Sequence, residues 1–194
     1  MSAHALIALF WTVKETSMPN PDDGSAFLPI RSEERAMTAE EAWDVLSSRS
    51  VQYGFLGTHG LDEEGRFPYV VPMNFAADPS AGALYLHSTD DRASKRRRAI
   101  GRNAKVSFTV VDPGSSILPD PQGRPCKFTM QYRSVMVFGR IEAVASAEER
   151  GRLFNFLMQQ KAPSPRLDEV RPQDVEGVAV WRLRVEHVSG KRGA

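Results

Sequence analysis

The chain has 194 residues, of which 41% are hydrophobic and 25% charged, and its formal net charge is +1. This composition is typical of a single globular domain, and the small net charge excludes a global field that would attract nucleic acid. Cys126 is the only cysteine. An intramolecular disulfide and a cysteine-based zinc site are therefore excluded, and we expect a reducing, cytoplasmic compartment.

The first 30 residues differ from the rest of the chain. An apolar run from Ala5 to Trp11 is too short to span a membrane and lacks the basic region and cleavage site of a secretory signal. A polar, turn-rich stretch follows it. We interpret residues 1–30 as a poorly ordered extension, or as a segment that docks on the domain or on a second subunit, and residues 31–192 as the folded domain. We expect no membrane partner.

The first elements of the domain follow from local patterns. A capping box from Thr38 to Glu41 predicts a helix over about 38–49. Apolar alternation then predicts three strands, around Val51–Phe55, Tyr69–Phe75 and Ala83–Ser88. Their connections are too short for helical crossovers, so the three strands form an antiparallel meander.

The middle of the chain predicts a basic helix over about 91–101 and a strand over Lys105–Val111. Residues 112–125 are rich in proline, glycine and serine, which favours a loop. The longest alternating stretch, Cys126–Ala145, predicts one long strand that bends at Gly139. Its alternation predicts that Cys126 packs against the sheet, with a reactive thiol as the alternative.

A second capping box from Ser146 to Glu149 begins another helix, and alternation over 177–187 predicts a last strand. Together, these patterns predict six or seven antiparallel strands and three helices. This favours a mainly β (α+β) barrel with peripheral helices over a doubly wound α/β fold. The glycine-rich motifs of Rossmann domains and P-loops are absent from the sequence.

The first candidate for chemistry is the strand segment Pro68–Phe75. Pro72 interrupts a clear strand pattern, and since proline cannot donate to a ladder it belongs at an edge or a bulge. Unpaired backbone groups beside Asn74 could bind the amide-like edge of a planar ligand. An ordinary edge strand is the alternative.

The second candidate is the segment from His87 to Arg102. Charge and hydroxyl donors occur together here, as a phosphate monoester requires. The basic residues are Arg92, Lys95, Arg96, Arg97, Arg98 and Arg102, and the hydroxyls are Ser88 and Thr89. A solvated helix face and a nucleic-acid patch are the alternatives, although no aromatic interleaving supports the latter. His87 can be structural, and no metal-ligand spacing surrounds it, so we predict no metal.

Two further segments lie near the C-terminal end. Tyr132–Gly139 has a polar start and an apolar end, which suits an interface strand, and Val135–Val137 is apolar on both faces, which predicts burial on both sides. Ser189-Gly190-Lys191 could supply a positive charge to a ligand.

Taken in order, these segments resemble a known family. Pro68–Phe75, Leu84–Ser88, the basic helix, Tyr132–Gly139 and Ser189–Lys191 are similar to the nitroimidazole-resistance branch of the pyridoxamine-phosphate-oxidase-like FMN-binding split-barrel superfamily. The resemblance covers residues 31–192. It implies a six- to seven-stranded antiparallel split β-barrel and a homodimer with FMN at the subunit interface. The motifs of true pyridoxamine-phosphate oxidases are absent, so we do not expect oxidation of vitamin B6.

The resemblance also implies a set of site residues. The flavin ring would lie against one strand, the phosphate would be held at the start of the basic helix, His87 would be the catalytic residue near the ring, and the partner subunit would complete the site. The implied cofactor-binding residues are Val70, Val71, Pro72, Met73, Asn74, His87, Ser88, Thr89, Lys95, Arg96, Tyr132, Arg133, Ser134, Val135 and Lys191. Residues 90–94 lack the glycine that the family usually has after the histidine, so Arg92 and Arg97 also stay candidates for the phosphate.

The implied function is a flavin-dependent reductase of small electrophilic or nitroaromatic compounds, in which the cofactor performs the redox chemistry. The alternatives are a flavin-binding or sensor protein without turnover, and the same barrel using haem or a deazaflavin.

Overall fold

The computed structural model describes residues 27, 30, 32–60, 67–91, 93–164 and 168–193. The chain divides into two units, Met1–Arg31 and Ser32–Ala194. The interpretation of residues 1–30 as an extension concerns residues that lie, apart from positions 27 and 30, outside the described residues. The following description concerns the second unit.

Strands outnumber helices in the described chain. The strands are β1 (Ala36–Met37), β2 (Tyr53–Thr58), β3 (Tyr69–Asp78), β4 (Ala83–Thr89), β5 (Lys105–Val111), β6 (Ser116–Leu118), β7 (Thr129–Gln131), β8 (Arg133–Ala143) and β9 (Val178–Arg192). The α-helices are α1 (Ala39–Ser47), α2 (Lys95–Arg102) and α3 (Ala147–Lys161).

Seven strands form one antiparallel sheet in the order β1-β9-β4-β3-β2-β5-β8. Because β8 also pairs with β9, six of these strands close into a barrel, and β1 adds to β9 outside the closed ring. The predicted mainly β, antiparallel barrel with peripheral helices is therefore confirmed. The two remaining strands, β6 and β7, pair with each other in a separate small sheet.

The capping box at Thr38 forms as predicted. The Thr38 hydroxyl accepts from the Glu41 amide at 3.1 Å, and the Glu41 carboxylate accepts from the Thr38 amide at 2.8 Å. The box at Ser146 is only half formed, because Ser146 accepts from the Glu149 amide while the Glu149 carboxylate binds Arg182 instead. Both helices still begin at the residue after the cap.

The inward face of β2 carries a glycine. Gly54 and Leu56 face the core, whereas Tyr53 and Phe55 face outwards. A Cβ atom at position 54 would lie 2.5 Å from the Cε1 atom of Phe108, so a larger residue at this position would displace the central aromatic ring of the core. The alternating aromatic residues of β2 therefore belong to the outer surface of the barrel.

The prediction of a single long strand over Cys126–Ala145 is wrong. Residues Pro125–Lys127 form a 3-10 turn, β7 follows, and β8 begins only at Arg133. Part of the predicted loop over 112–125 is strand β6, which pairs with β7. This small sheet is exposed on both faces, so the alternation in this part of the chain does not mark a buried face. Cys126, predicted to pack against the sheet, is exposed.

The prediction that both faces of Val135–Val137 are buried is also wrong, because one of the three side chains is exposed in the single chain. Val135 and Val137 are fully buried, but Met136 points outwards and is 42% exposed. The predicted bend at Gly139 is confirmed, since the register of β8 against β9 shifts between Phe138 and Gly139. A Cβ atom at Gly139 would lie 1.9 Å from the Arg184 carbonyl oxygen, so the close approach of β9 requires glycine there.

Candidate cofactor site

Strands β3 and β4 pair over only part of their length. Pairing runs from Phe75 opposite Leu86 to Asp78 opposite Ala83, and the two strands separate beyond Phe75. Residues 69–74 of β3 pair with β2 on one side, and no strand among the described residues pairs with their other side. This half of β3 behaves as an edge although β3 is central in the sheet, which explains how the strand accommodates Pro72.

The free half of β3 includes Val70, Val71, Pro72, Met73 and Asn74. The Met73 side chain is buried in the core, whereas the Asn74 side chain is exposed and donates from Nδ2 to the Gln52 carbonyl at 3.2 Å. Backbone N–H and C=O groups along such an edge are available to a ligand, because a strand edge presents unpaired donors and acceptors. The geometry suits the polar edge of a planar heterocycle.

The basic helix α2 begins at Lys95, later than predicted. Ser94 caps it by accepting from the Arg97 amide at 3.3 Å, and a turn closed by the Asp91 carboxylate precedes it. The Arg96 side chain is partly buried, and its Nε atom is buried without a hydrogen-bond partner among the described residues. Burial lowers the pKa of Arg96, and Tyr69 at the start of β3 acts on it electrostatically.

His87 lies on β4 just beyond its pairing with β3. Its ring packs edge-on against Phe154 of α3, with centroids 5.2 Å apart, and its Nδ1 atom is buried without a partner among the described residues. Burial, and after it the charge of Arg96, lowers the pKa of His87 below its ordinary value of 6.5. Arg96 thus lies within electrostatic reach of both separated strands.

The other predicted phosphate ligands differ in availability. The Ser88 hydroxyl accepts from Trp181 Nε1 at 3.1 Å and donates to the Thr89 carbonyl, so it is already engaged. Arg97 pairs with Asp90 at 3.0 Å and lies over the Trp181 ring. Thr89 and Lys95 are exposed. Arg92 is outside the described residues.

The C-terminal candidates form a second group on neighbouring strands. Ser134 of β8 lies opposite Lys191 of β9, and Tyr132 accepts at its carbonyl from the Gly193 amide at 2.9 Å. Val135 is fully buried in the core, so only its backbone is available to a ligand. Within one chain, strands β2 and β5 lie between β8 and β3 in the sheet. This group therefore makes no strand pairing with the free half of β3.

Arg133 of this second group is engaged within the chain. Its guanidinium binds the nearly buried Asp112 carboxylate, which also accepts from the Gly114 amide at 2.9 Å. That amide and then Arg133 hold the pKa of Asp112 below its usual range. The pair joins the end of β5 to the start of β8.

Sequence reasoning missed an exposed apolar surface on the outside of the barrel. Register places Phe55, Pro72, Thr109 and Met136 in one row across four strands, and opposite residues share a face of a sheet. The large exposed apolar side chains on and beside this row are Tyr53, Phe55, Val70, Val111 and Met136, hereafter the outer-face patch. The alternation of Tyr53 and Phe55 with Gly54 was the available signal.

The described residues contain neither a cluster of metal ligands nor a membrane-spanning helix. Nowhere among these residues do three or more His, Cys, Asp or Glu side chains lie close enough together to hold a metal ion. Likewise, none of the helices described here has the length and apolar character needed to cross a membrane.

Comparison with known proteins identifies the family. The family model described as pyridoxamine 5'-phosphate oxidase matches residues 38–192. A curated relative from Streptomyces rimosus, a 5a,11a-dehydrotetracycline/5a,11a-dehydrooxytetracycline reductase, is 27% identical over 104 residues. That match spans 63% of the relative and 54% of this chain.

Solved structures share the fold. A protein from Bacteroides thetaiotaomicron, assigned provisionally to 5-nitroimidazole antibiotic resistance, is 25% identical, with a TM-score of 0.64 and coverage of 80% of this chain and 85% of that chain. The flavocytochrome Anf3 from Azotobacter vinelandii is 21% identical, with a TM-score of 0.65 and coverage of 86% and 72% respectively. Because the family model covers most of the sequence, this chain belongs to the pyridoxamine 5'-phosphate oxidase family.

Proposed function

We propose that this protein is an FMN-binding oxidoreductase that reduces small electrophilic or nitroaromatic compounds. The observation that carries the proposal is the convergence of a free strand edge, residues 69–74, with two side chains, Arg96 and His87, whose buried nitrogens have no hydrogen-bond partner among the described residues. A buried polar atom without a partner is costly, and a bound ligand that supplies an acceptor removes that cost.

The residues present fit FMN, because one group suits the isoalloxazine ring and another suits the phosphate. The free half of β3 offers backbone groups to the polar edge of the isoalloxazine ring, and Asn74 adds an amide beside it. Arg96 offers to the phosphate a guanidinium whose buried Nε atom has no partner among the described residues, with exposed Lys95 and Thr89 nearby in the chain. When bound, FMN supplies two-electron redox chemistry, and the protein supplies binding and electrostatics.

Two side chains would act on the charge of the ring. Its lowered pKa favours the neutral form of His87 at pH 7, in which one ring nitrogen donates a hydrogen bond and the other accepts one. Lys191 is a partly buried cation opposite Ser134 and would stabilise negative charge on the reduced ring. His87 is the proposed catalytic residue.

The relatives support a reductase. The Streptomyces rimosus relative is a reductase of 5a,11a-dehydrotetracycline and 5a,11a-dehydrooxytetracycline, and the Bacteroides thetaiotaomicron protein is linked to 5-nitroimidazole resistance. Both names concern small organic compounds with electron-poor groups, which motivates the choice of acceptor class proposed for this chain.

The proposal includes a homodimer with the flavin at the subunit interface. The outer-face patch supports it, because contiguous exposed apolar side chains are typical of a surface that is covered in solution. Tyr132, Ser134 and the backbone of Val135 would complete the partner's site rather than their own, since within one chain they lie across the barrel from the free half of β3. A cytoplasmic location is part of the same proposal and accords with the single cysteine.

The absorption spectrum of the purified protein tests the cofactor, together with mass spectrometry of the released ligand. We expect a yellow protein whose flavin bands bleach on reduction and whose released ligand has the mass of FMN. A Soret band would indicate haem instead, and a protein that stays colourless after incubation with FMN would overturn the proposal. Equilibrium sedimentation tests the dimer, for which we expect twice the mass of the chain.

A further inference from the structure

An open cleft of about 280 Å³ lies on the outside of the barrel, between the end of β5 and the start of β2. Aromatic and aliphatic side chains form most of its wall, and short polar side chains complete it. The lining residues are Ser50, Val51, Gln52, Tyr53, Phe55, Val111, Asp112, Pro113 and Ser115.

The aromatic wall is exposed to solvent. Tyr53 is 58% and Phe55 is 45% exposed, and their rings meet edge-on with centroids 6.0 Å apart. Val111, another lining residue, is also exposed. Two aromatic rings held in a fixed mutual orientation offer a surface on which a flat ring can stack or pack edge-on.

The cleft adjoins the strand proposed to hold the flavin ring. Tyr53 lies directly opposite Asn74, and Phe55 lies opposite Pro72, so these side chains share the outer face of the sheet. The Asn74 amide donates to the backbone of Gln52, which is itself a lining residue. One cross-strand spacing of about 5 Å therefore separates the cleft from the proposed ring site.

The polar groups of the cleft carry little net charge. The Asp112 carboxylate is neutralised by Arg133 and bonded to the Gly114 amide, and the Ser115 hydroxyl donates to the Asp112 carbonyl at 2.6 Å. Such a lining favours an uncharged ligand with an apolar ring and one or two polar substituents. The volume is at the small end for ligand sites, which suits one or two fused rings.

We infer that this cleft binds the flat aromatic part of the electron acceptor, so that Tyr53 and Phe55 determine the specificity for aromatic acceptors. The inference rests on the proposed function and names the substrate class of the same site.

Indole tests the cleft, because it is planar and uncharged and is not reduced by flavins. Calorimetric titration of the full chain, with and without FMN, compares the wild type with a Tyr53→Leu, Phe55→Leu double variant. Leucine keeps apolar bulk on the surface while removing the aromatic planes. We expect indole binding to weaken about tenfold in the double variant, the sum of two aromatic contacts. Phe128→Leu, at an exposed phenylalanine outside the cleft, is the matched control and should bind like the wild type.

Reoxidation of the dithionite-reduced, FMN-loaded protein supplies a second measurement. The double variant should need about tenfold more 5-nitroimidazole for half-maximal reoxidation, while reoxidation by ferricyanide, which has no ring to stack, stays unchanged. FMN affinity and dimer mass are measured on the same samples and should not change.

The outcomes separate the two proposals. Unchanged indole and 5-nitroimidazole behaviour in an FMN-loaded double variant would overturn the acceptor cleft and leave the proposed function standing. Failure of the wild type to bind FMN would overturn the proposed function, and indole binding to the flavin-free chain would still decide whether the cleft takes aromatic compounds. If the double variant becomes monomeric although leucine keeps the apolar bulk of the outer-face patch, the aromatic rings of Tyr53 and Phe55 serve the dimer and the acceptor cleft is wrong.

Discussion

The charge of Arg96 adds to burial in lowering the pKa of His87, and each of these two side chains holds a buried nitrogen without a hydrogen-bond partner among the described residues. The two residues belong to different elements, α2 and β4, and meet where β4 has separated from β3. An anion bound between them would satisfy Arg96 directly and would raise the pKa of His87. This electrostatic relationship makes the proposed phosphate site testable.

Replacing Arg96 should weaken FMN binding through the phosphate alone. In Arg96→Gln, we expect the dissociation constant of FMN to rise ten- to a hundredfold, because hydrogen bonds to charged groups contribute about 1.5–3 kcal/mol. Riboflavin lacks the phosphate, so its affinity should be unchanged. Fluorescence titration of both flavins into wild type and variant measures the difference.

Arg98→Gln is the matched control for that experiment. Arg98 is exposed on the same short helix, so its replacement removes the same charge with no loss of a buried group. Equal losses of FMN affinity in the two variants would mean that only the overall positive charge of α2 matters. A loss of riboflavin affinity in Arg96→Gln would mean that Arg96 contacts the ring or supports the fold.

His87 should titrate below its ordinary pKa of 6.5 in the folded chain. Between that lowered value and pH 6.5 the unfolded chain binds a proton that the folded chain does not. The contribution of His87 to stability is therefore complete above pH 6.5 and declines as the pH falls through this window. Proton NMR titration, with the His87 signal assigned by its absence in His87→Gln, measures the pKa.

Removing the charge of Arg96 tests the lowered pKa of His87 in a second way. In Arg96→Gln the pKa of His87 should move upwards, although burial would still hold it below 6.5. A pKa that does not respond would mean that Arg96 and His87 are independent, and the anion site between them would lose its basis.

Local signals predicted part of the fold and part of the candidate site. The capping box at Thr38, the interrupted strand at Pro72 and the bend at Gly139 all depend on backbone chemistry within a few residues, and all are found. The free edge beside Pro72 was also predictable, because a proline in a strand requires a missing partner on one side.

Long-range contacts were not predictable in the same way. Arg96, Arg97 and Lys95 are equivalent in sequence, and only the packing of α2 decides that Arg97 binds Asp90 while the Arg96 Nε atom is buried without a partner among the described residues. The outward direction of Tyr53 depends on Gly54 packing against Phe108, more than 50 residues away in sequence. Alternation in β2 fixes two faces but does not decide which of them meets the core.

Lys161 should stabilise the fold through two backbone carbonyls. From the end of α3, its ammonium donates to the carbonyls of Leu46 and Ser48, at 2.9 and 2.8 Å, near the C-terminus of α1. It also lies 4.6 Å from the centroid of the Phe75 ring. Lys161→Met keeps the apolar stem but leaves both carbonyls without this donor, and we expect a loss of about 2 kcal/mol in urea unfolding. Lys161→Arg should recover part of it.

The same residue predicts a pH dependence of stability. Burial lowers the pKa of Lys161 from 10.5 to about 8. Between these values the unfolded chain binds the proton that the folded chain has released, so the contribution of Lys161 to the free energy of unfolding rises from pH 8 to pH 10.5. The neutral amine keeps two N–H donors for the two carbonyls. The difference in stability between wild type and Lys161→Met should therefore grow over this range, and a constant difference would contradict the lowered pKa.

The bend in β8 should tolerate no side chain. At Gly139 an added Cβ atom would lie 1.9 Å from the Arg184 carbonyl oxygen and 3.2 Å from the Glu186 amide nitrogen, both of them backbone atoms of β9. Gly139→Ala therefore has to push two barrel strands apart at the position where their register shifts, and we expect a loss of at least about 3 kcal/mol. We expect the opposite effect from Gly101→Ala. Outside the backbone of α2 itself and the two adjacent residues, no described atom lies within 4 Å of the added Cβ, and alanine is favoured over glycine in a helix by about 1 kcal/mol. Urea unfolding of the two variants should shift the midpoint in opposite directions, and a mild effect of Gly139→Ala would mean that β9 can move away from the bend at little cost.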